Sequence, residues 1–388
     1  MSHYQNVEFR AVDRPLSEEQ MEFARQQSTR AEISRRSLSC EYNFSEFRGD
    51  INGLLRNGFD VFLQDASYGD RELRWRLPNG LPFSKRVWTK YIDGERLTWS
   101  EDKNGRGGIL SLAPFHETSE MEVIWELDKH IDAVVQTREL LLNGDLRALY
   151  LLWLAAADDD YNDPETTIEP AVPYGMAEIP GRCADVLTYF GLDPLIVQAT
   201  AEDVPGAPET HSQEYRTRQW AQSLSAAQSR ELLVDLLTAD TQAVKAELTE
   251  AVRRAQPRLD WPTANRQRTF AQLLHRASEL RDVADAEAEL EREAEAKRAA
   301  AEAERERQDR MKTMTKDPRK WLREVEELVE LRGRNNYQAA ADILRDLQEA
   351  TGDAKTEAKI RRLAARLAKE NPTLTQLKGA LRQRDLLD

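Results

Sequence analysis

Residues 265–317 contain no glycine and no proline, and this constrains the chain more than any other feature. The stretch begins amphipathic, with Phe270, Leu273, Leu274, Ala277, Leu280 and Val283 at helical spacing. It then turns into almost pure Ala, Glu, Arg and Lys, all strong helix formers. Pro318 is the first residue able to stop a helix, and it biases Asp317 away from the helical region. At 1.5 Å per residue, residues 265–312 predict a rod of roughly 70 Å. A coiled coil needs large apolar residues every 3.5 positions, but seven and fourteen residues beyond Leu290 stand Lys297 and Glu304. The apolar seam therefore ends, and the rod is expected to be a single solvated helix. Antiparallel packing of its alanines against a second helix and disorder are the alternatives.

The rod divides the rest of the chain. At 388 residues the sequence is too long for one ordinary core. Ahead of the rod, residues 4–12, 37–44 and 59–64 read as strands. Ser17 and Gln20 form a capping box ahead of a first helix, and Asp50 can cap a second. Residues 71–77 alternate, with Leu73, Trp75 and Leu77 on one side and Arg74 and Arg76 on the other. Residues 97–99 and 109–112 flank Lys103-Asn104-Gly105, which reads as a hairpin turn. The glycines around it do not form a phosphate loop, since the G-x-x-x-x-G-K-[ST] pattern is missing. These elements predict an α+β sheet domain over 1–116, with helices on one face. A mostly α-helical body is expected over 117–263, with helices at 140–157, 183–190, 219–238 and 241–255 and a proline-rich loop at 163–181. The long charged helix would occupy 264–317. A small helical C-terminal module of four short helices would occupy 318–388, where Asn335 to Ala350 look like one tetratricopeptide helix without a second copy at the 34-residue period.

Two segments are similar to known families. The opening EFRAVDRPLSEEQMEFARQQSTRAEIS resembles the start of a family of uncharacterised bacterial proteins. The tail NYQAAADILRDLQEA, with LTQLKGALRQRDLL after it, resembles the C-terminal segment of bacterial SWIM-type zinc-finger proteins. Their zinc motif needs closely spaced Cys and His. This chain has only Cys40 and Cys183, so neither zinc nor nucleic-acid binding carries over. The resemblance implies a helical association tail.

Net charge is −14, which repels nucleic-acid phosphates on average and leaves only a local basic patch able to bind them. The stretch 71–90 supplies a candidate nucleic-acid face of Arg71, Arg74, Arg76, Lys85, Arg86 and Lys90, with Trp75 and Trp88 interleaved. Against it, Trp75 shares the apolar side of its strand, which makes the arginines an ordinary solvated face. The run Asp158 to Asp163 puts oxygen ligands at positions 1, 3, 5 and 12 of a calcium loop, through Asp158, Asp160, Asn162 and Glu169. Asp163 stands where the sharp turn needs glycine, and Pro164 follows, so no calcium site is expected. The five histidines show no metal-ligand spacing, and no nucleophile motif occurs. No catalytic, metal or cofactor residues are assigned. The two cysteines read as reduced, packed thiols. With no apolar leader and no run of 18 apolar residues, the expected compartment is the cytoplasm.

The sequence thus predicts a non-enzymatic scaffold or adaptor that holds protein partners through the body, the rigid helix and the helical tail. An accessory protein acting near nucleic acid through the 71–90 face is the alternative. A hydrolase with a site assembled by the fold is the third reading, in its most concrete form a metal-dependent one using Asp158 or Asp160. No membrane, cofactor or small-molecule substrate is expected.

Overall fold

The computed structural model describes residues 4–66, 70–103, 105, 107–116, 127–209, 212–238, 241–255 and 260–387. In chain order the elements begin β1 (Tyr4–Arg10), α1 (Glu18–Gln27), β2 (Glu32–Ile33), β3 (Ser37–Asn43), α2 (Ile51–Arg56), β4 (Val61–Ala66) and β5 (Arg71–Leu77). They continue with α3 (Lys85–Trp88), β6 (Leu97–Glu101), β7 (Gly108–Leu112), α4 (Leu127–Leu142), α5 (Leu146–Ala157), β8 (Val172–Pro173), α6 (Asp185–Tyr189) and α7 (Leu195–Ala201). Then come α8 (Gln213–Ser223), α9 (Ala226–Thr238), α10 (Thr241–Ala255), β9 (Thr263–Ala264), α11 (Phe270–Lys316), α12 (Pro318–Glu330), α13 (Arg334–Thr351), α14 (Ala354–Glu370) and α15 (Thr375–Arg382). An N-terminal sheet, a mostly helical body, a long helix and a C-terminal helical module are all present. No helix among the described residues is long and apolar enough to cross a membrane.

Seven strands form one antiparallel sheet in the order β2-β3-β1-β4-β5-β7-β6. Its local signals act as the sequence predicts. Ser17 accepts from the Gln20 amide while Gln20 reaches back to the Ser17 amide, and Asp50 caps α2 through the Gly53 amide at 2.8 Å. Successive side chains of a strand point to opposite faces. Phe62 of β4 faces one way with Phe9 and Ile109, against Leu54 and Leu55 of α2 and Met21 and Ala24 of α1. Val61 and Leu63 face the other way with Leu73, Trp75, Leu77, Leu110 and Leu112. That second face packs on Ile131 and Val134 of α4 and on α5, whose twelve residues are all buried.

Helices thus cover both faces of the sheet, where the sequence predicts one. A central strand that is apolar on both sides, as β4 is, needs a cover on both. The expected boundary at 116 falls inside one compact unit, Met1–Val283, because the Trp75 face of the sheet shares a core with the helical body. Two further differences have local causes. The expected helix over 219–238 is two helices, broken where Ser225 and Gln228 form a reciprocal cap that starts α9. The expected loop at 163–181 contributes β8, which pairs with β9 at Val172–Ala264 and Pro173–Thr263.

The second compact unit is Ala284–Asp388. Helix α11 begins in the first. Thr269 and Gln272 cap each other reciprocally, and Phe270, Leu273 and Ala277 are buried in the core of the body. Every residue from 285 to 306 is exposed. Within the second unit, Met314 near the end of α11 is fully buried among residues of α12 to α15. Asp317 caps α12 through the Lys320 amide at 3.3 Å, with Pro318 in the first turn. Tyr337, Ala340, Ala341, Leu344 and Leu347 make α13 the centre of that core. The next two helices bury Ile360, Leu363, Ala364 and Leu367, then Leu377 and Leu381. Gly352 ends α13 at φ +56, a conformation that suits glycine, and Asp353 then caps α14 through the Thr356 amide at 2.9 Å.

Candidate functional site

The six residues of the candidate basic face do not share one surface. Arg71 lies on the core side of β5, on the same face as Leu73 and Trp75, and is 5% exposed. Its Nε donates to Asp65 at 2.8 Å, its Nη1 to the Tyr189 carbonyl at 2.6 Å, and its guanidinium lies 5.4 Å from the Tyr189 ring centre. Arg74 and Arg76 lie on the opposite face. Arg74 donates to both Glu72 oxygens at 2.6 and 2.9 Å and to Asn52 at 2.7 Å. Arg76 donates to Asp102 at 2.6 Å and to the Gly108 carbonyl at 2.9 Å. Lys85, Arg86 and Lys90 are the exposed members, in and just after the short helix α3. Alternation put Arg71 opposite Arg74, and Glu72 and Asp102 neutralise the outer pair.

Arg76 also opens onto a surface cleft of about 580 Å³ at the end of the β6–β7 hairpin, lined by Arg56, Ser100, Glu101, Asp102 and Lys103. Asp102 joins its walls by accepting from Arg56 Nε at 2.9 Å and from Arg76 at 2.6 Å. These ion pairs hold the guanidinium groups and their carboxylate. Beyond that clamp, Ser100 has no base against it among the described contacts. Strands β6 and β7 pair in the hairpin expected from the sequence, while Asn104 and Arg106 of its turn lie outside the described residues.

Several buried charges elsewhere are satisfied within the fold. Arg138 of α4 is fully buried and grips Asp13 with two bonds of 2.7 and 2.8 Å, Asp60 at 2.8 Å and the Arg76 carbonyl at 2.9 Å. Burial pushes the Asp60 carboxyl above its usual range against the pull of Arg138. At Asp13 burial acts in the same direction, but the two hydrogen bonds from Arg138 carry it below the usual range. Glu169 is buried, accepts from Arg268 at 2.8 and 2.9 Å and takes the Tyr150 hydroxyl. Asp145 and Arg147 pair at 2.6 Å, with the guanidinium lying 5.2 Å from the Trp261 ring centre. Such pairs resist disruption because removing one partner strands a buried charge.

The acidic run is engaged in the same way. Asp159 accepts from the Phe115 amide at 2.7 Å and the Tyr161 amide at 2.9 Å, and pairs with Arg96 at 2.6 Å. Glu169, the last position of the calcium pattern, belongs to Arg268. His116 is buried, 3.8 Å from Asp160. His130 lies 5.3 Å from the Tyr189 ring, and burial followed by the nearby Arg71 holds it below its ordinary pKa. His275 is 3.5 Å from Glu279 on the exposed side of α11. His3 and His211 lie outside the described residues. Among the described residues no group of three or more His, Cys, Asp or Glu side chains could hold a metal ion. Cys40 and Cys183 are buried and free, and burial pushes the Cys183 thiol up to about 11.

One feature of the body stands apart from this self-satisfied chemistry. Helix α9 buries none of its residues, and it exposes Leu233, Val234 and Leu237 at 59%, 56% and 85%. Leu233 and Leu237 are one turn apart and stack on one side of the helix. The sequence carries these residues in ELLVDLLT, within the helix expected over 219–238, and nothing in it says that they are left exposed. Comparison with known protein families, with characterised proteins and with solved structures finds no match to this chain.

Proposed function

We propose that the protein is a non-enzymatic adaptor that takes a protein partner on the apolar face of α9. The observation that carries the reading is the exposure of Leu233, Val234 and Leu237 on a helix that contributes nothing to its own core. Scattered exposed apolar residues are ordinary, but three clustered within five positions mark an association surface. Covering a leucine that is largely exposed stabilises a complex by roughly 1.5–3 kcal/mol. The second unit fits the same reading, since it has its own core and joins the body through α11, whose residues 285–306 present charged and alanine side chains alone, apart from Leu290.

The experiment is crosslinking and affinity capture from cells that naturally make the chain, comparing the native protein with Leu233→Glu/Leu237→Glu. Both positions are exposed, so thermal melting should be unchanged. The adaptor reading expects a defined protein to be crosslinked through α9 and lost in the double variant. Identical capture by both chains would overturn it. Hydrolytic turnover that disappears with Asp158→Asn or Asp160→Asn would favour an enzyme instead.

A further inference from the structure

Helix α14 carries six Lys and Arg residues against two Glu, in a chain whose net charge is −14. Five of the six fall into one line. Lys355, Lys359, Arg362, Arg366 and Lys369 are spaced alternately four and three residues apart, which keeps them within about 80° of arc on a helix of 3.6 residues per turn. All five are exposed, on the side away from Ile360, Leu363, Ala364 and Leu367, which are buried in the core of the C-terminal unit. The row extends for roughly 21 Å with a cation about every 5 Å. Lys355, Lys359, Arg362 and Lys369 make no ion pair among the described residues, while Arg366 shares Glu326 of α12. Arg361 stands off the row and is tied to Glu357 at 3.2 Å.

We propose that this row binds the phosphate backbone of duplex nucleic acid without regard to sequence. Three observations select this partner. The apolar side of α14 is already committed to its own core, so the helix has nothing to insert into a bilayer as an interfacial helix does. There is no aromatic residue anywhere in α14 on which unpaired bases could stack. The positions flanking the row on one side are Ala354, Ala358 and Ala365, too short to hold the cations away from a rigid phosphate track and unable to read base edges. A surface of fixed, evenly spaced cations matches a polyanion that carries one charge per about 1.7 Å. This inference is independent of the protein-docking face on α9, and it replaces the 71–90 stretch, where Arg71, Arg74 and Arg76 are already paired.

The test is fluorescence anisotropy of a labelled 20-base-pair DNA duplex titrated with the full chain. Binding is expected in the range of roughly 1–100 μM near physiological salt, as for sequence-independent contacts. With four free cations on phosphate, affinity should fall roughly 150-fold between 50 and 200 mM salt. The quadruple variant Lys355→Gln/Lys359→Gln/Arg362→Gln/Lys369→Gln should keep its helical content and lose at least 30-fold in affinity. Lys85→Gln/Arg86→Gln/Lys90→Gln should bind as the native chain does. No duplex binding at 50 mM salt would overturn the proposal. So would undiminished binding by a folded quadruple variant, or a row-dependent affinity greater for phosphatidylserine vesicles or single-stranded DNA than for the duplex.

Discussion

Trp75 shows how one residue fixes the relation between sheet and body. It is fully buried, and its indole Nε1 donates to the carbonyl of Val134 in α4 at 2.9 Å. Trp75→Ala is expected to cost about 3–5 kcal/mol, the range for deleting a large buried aromatic. Urea unfolding followed by circular dichroism measures it, and an unchanged midpoint would show that the site collapses without loss. Arg138 acts by charge on the same joint. Arg138→Met should cost about 3–5 kcal/mol because it leaves the buried Asp60 without its cation. Adding Asp60→Asn should recover part of that loss, whereas two unrelated sites would simply add. Cys183 offers a check by reactivity. A thiol held near 11 is protonated at pH 8, and the thiolate is the nucleophile. Cys183 should therefore resist a thiol reagent in the native chain at pH 8 and react once the chain is unfolded, which mass spectrometry of the labelled peptide will show.

At the scale of elements, α11 separates what is anchored from what is solvated. Its first turns are held by Phe270 and Leu273 and by two ion pairs, Arg276–Glu202 and Arg281–Asp193, at 2.7 and 2.6 Å. The bond from Arg276 holds the Glu202 carboxyl below its usual range. At Asp193 burial opposes ionisation, and the bond from Arg281 outweighs it. A depressed carboxyl contributes stability above its unfolded pKa and loses it as pH falls through the folded value. Acidification from pH 5 towards pH 3 should therefore loosen this first part of α11. Hydrogen exchange should show protection falling at residues 270–281 in that window, and less so in Glu202→Gln. Much of this element was legible in the sequence, because a run of helix formers without glycine or proline leaves few alternatives. The caps at Ser17 and Asp50 were legible too, because a capping side chain acts on amides two or three residues away. The side-chain destinations were not. Alternation in RELRWRL already sets Arg71 apart from Arg74, but it takes the pairing of β5 with β4 to put the first against Asp65 and the second against Phe62. The row on α14 was written plainly in the spacing of its cations, but it becomes a surface only once Ile360 and Leu363 are known to face the core.

At the scale of the whole molecule, the two-unit division predicts which pieces can stand alone. The sequence suggests cutting at 116, after the last strand of the sheet. In the structure that cut would expose Val61, Leu63, Leu73, Trp75, Leu77, Leu110 and Leu112 together, since their cover comes from α4 and α5. A sheet stripped of one apolar face presents a continuous patch that water disfavours and that a second copy can cover. The fragment 1–116 should accordingly aggregate, or remain without fixed tertiary structure by near-ultraviolet circular dichroism. The fragment 1–283 keeps that face covered and should unfold cooperatively. The C-terminal unit is the converse case. Its core of Met314, Val325, Tyr337, Leu344, Leu347, Ile360 and Leu377 is drawn from 284–388 alone. Arg307 and Arg310 both bond Asp346 of α13 at 2.8 Å, so the end of α11 belongs to this unit as much as its four shorter helices do. A fragment starting at 284 should fold and melt as it does in the full chain. One starting at 318 loses Met314 and both arginines and leaves the buried Asp346 without its cations, so its melting should fall by several degrees or be lost. Equal melting temperatures for the two C-terminal fragments would show that the end of α11 is dispensable to the module, and the division at 284 would then have to move to 318.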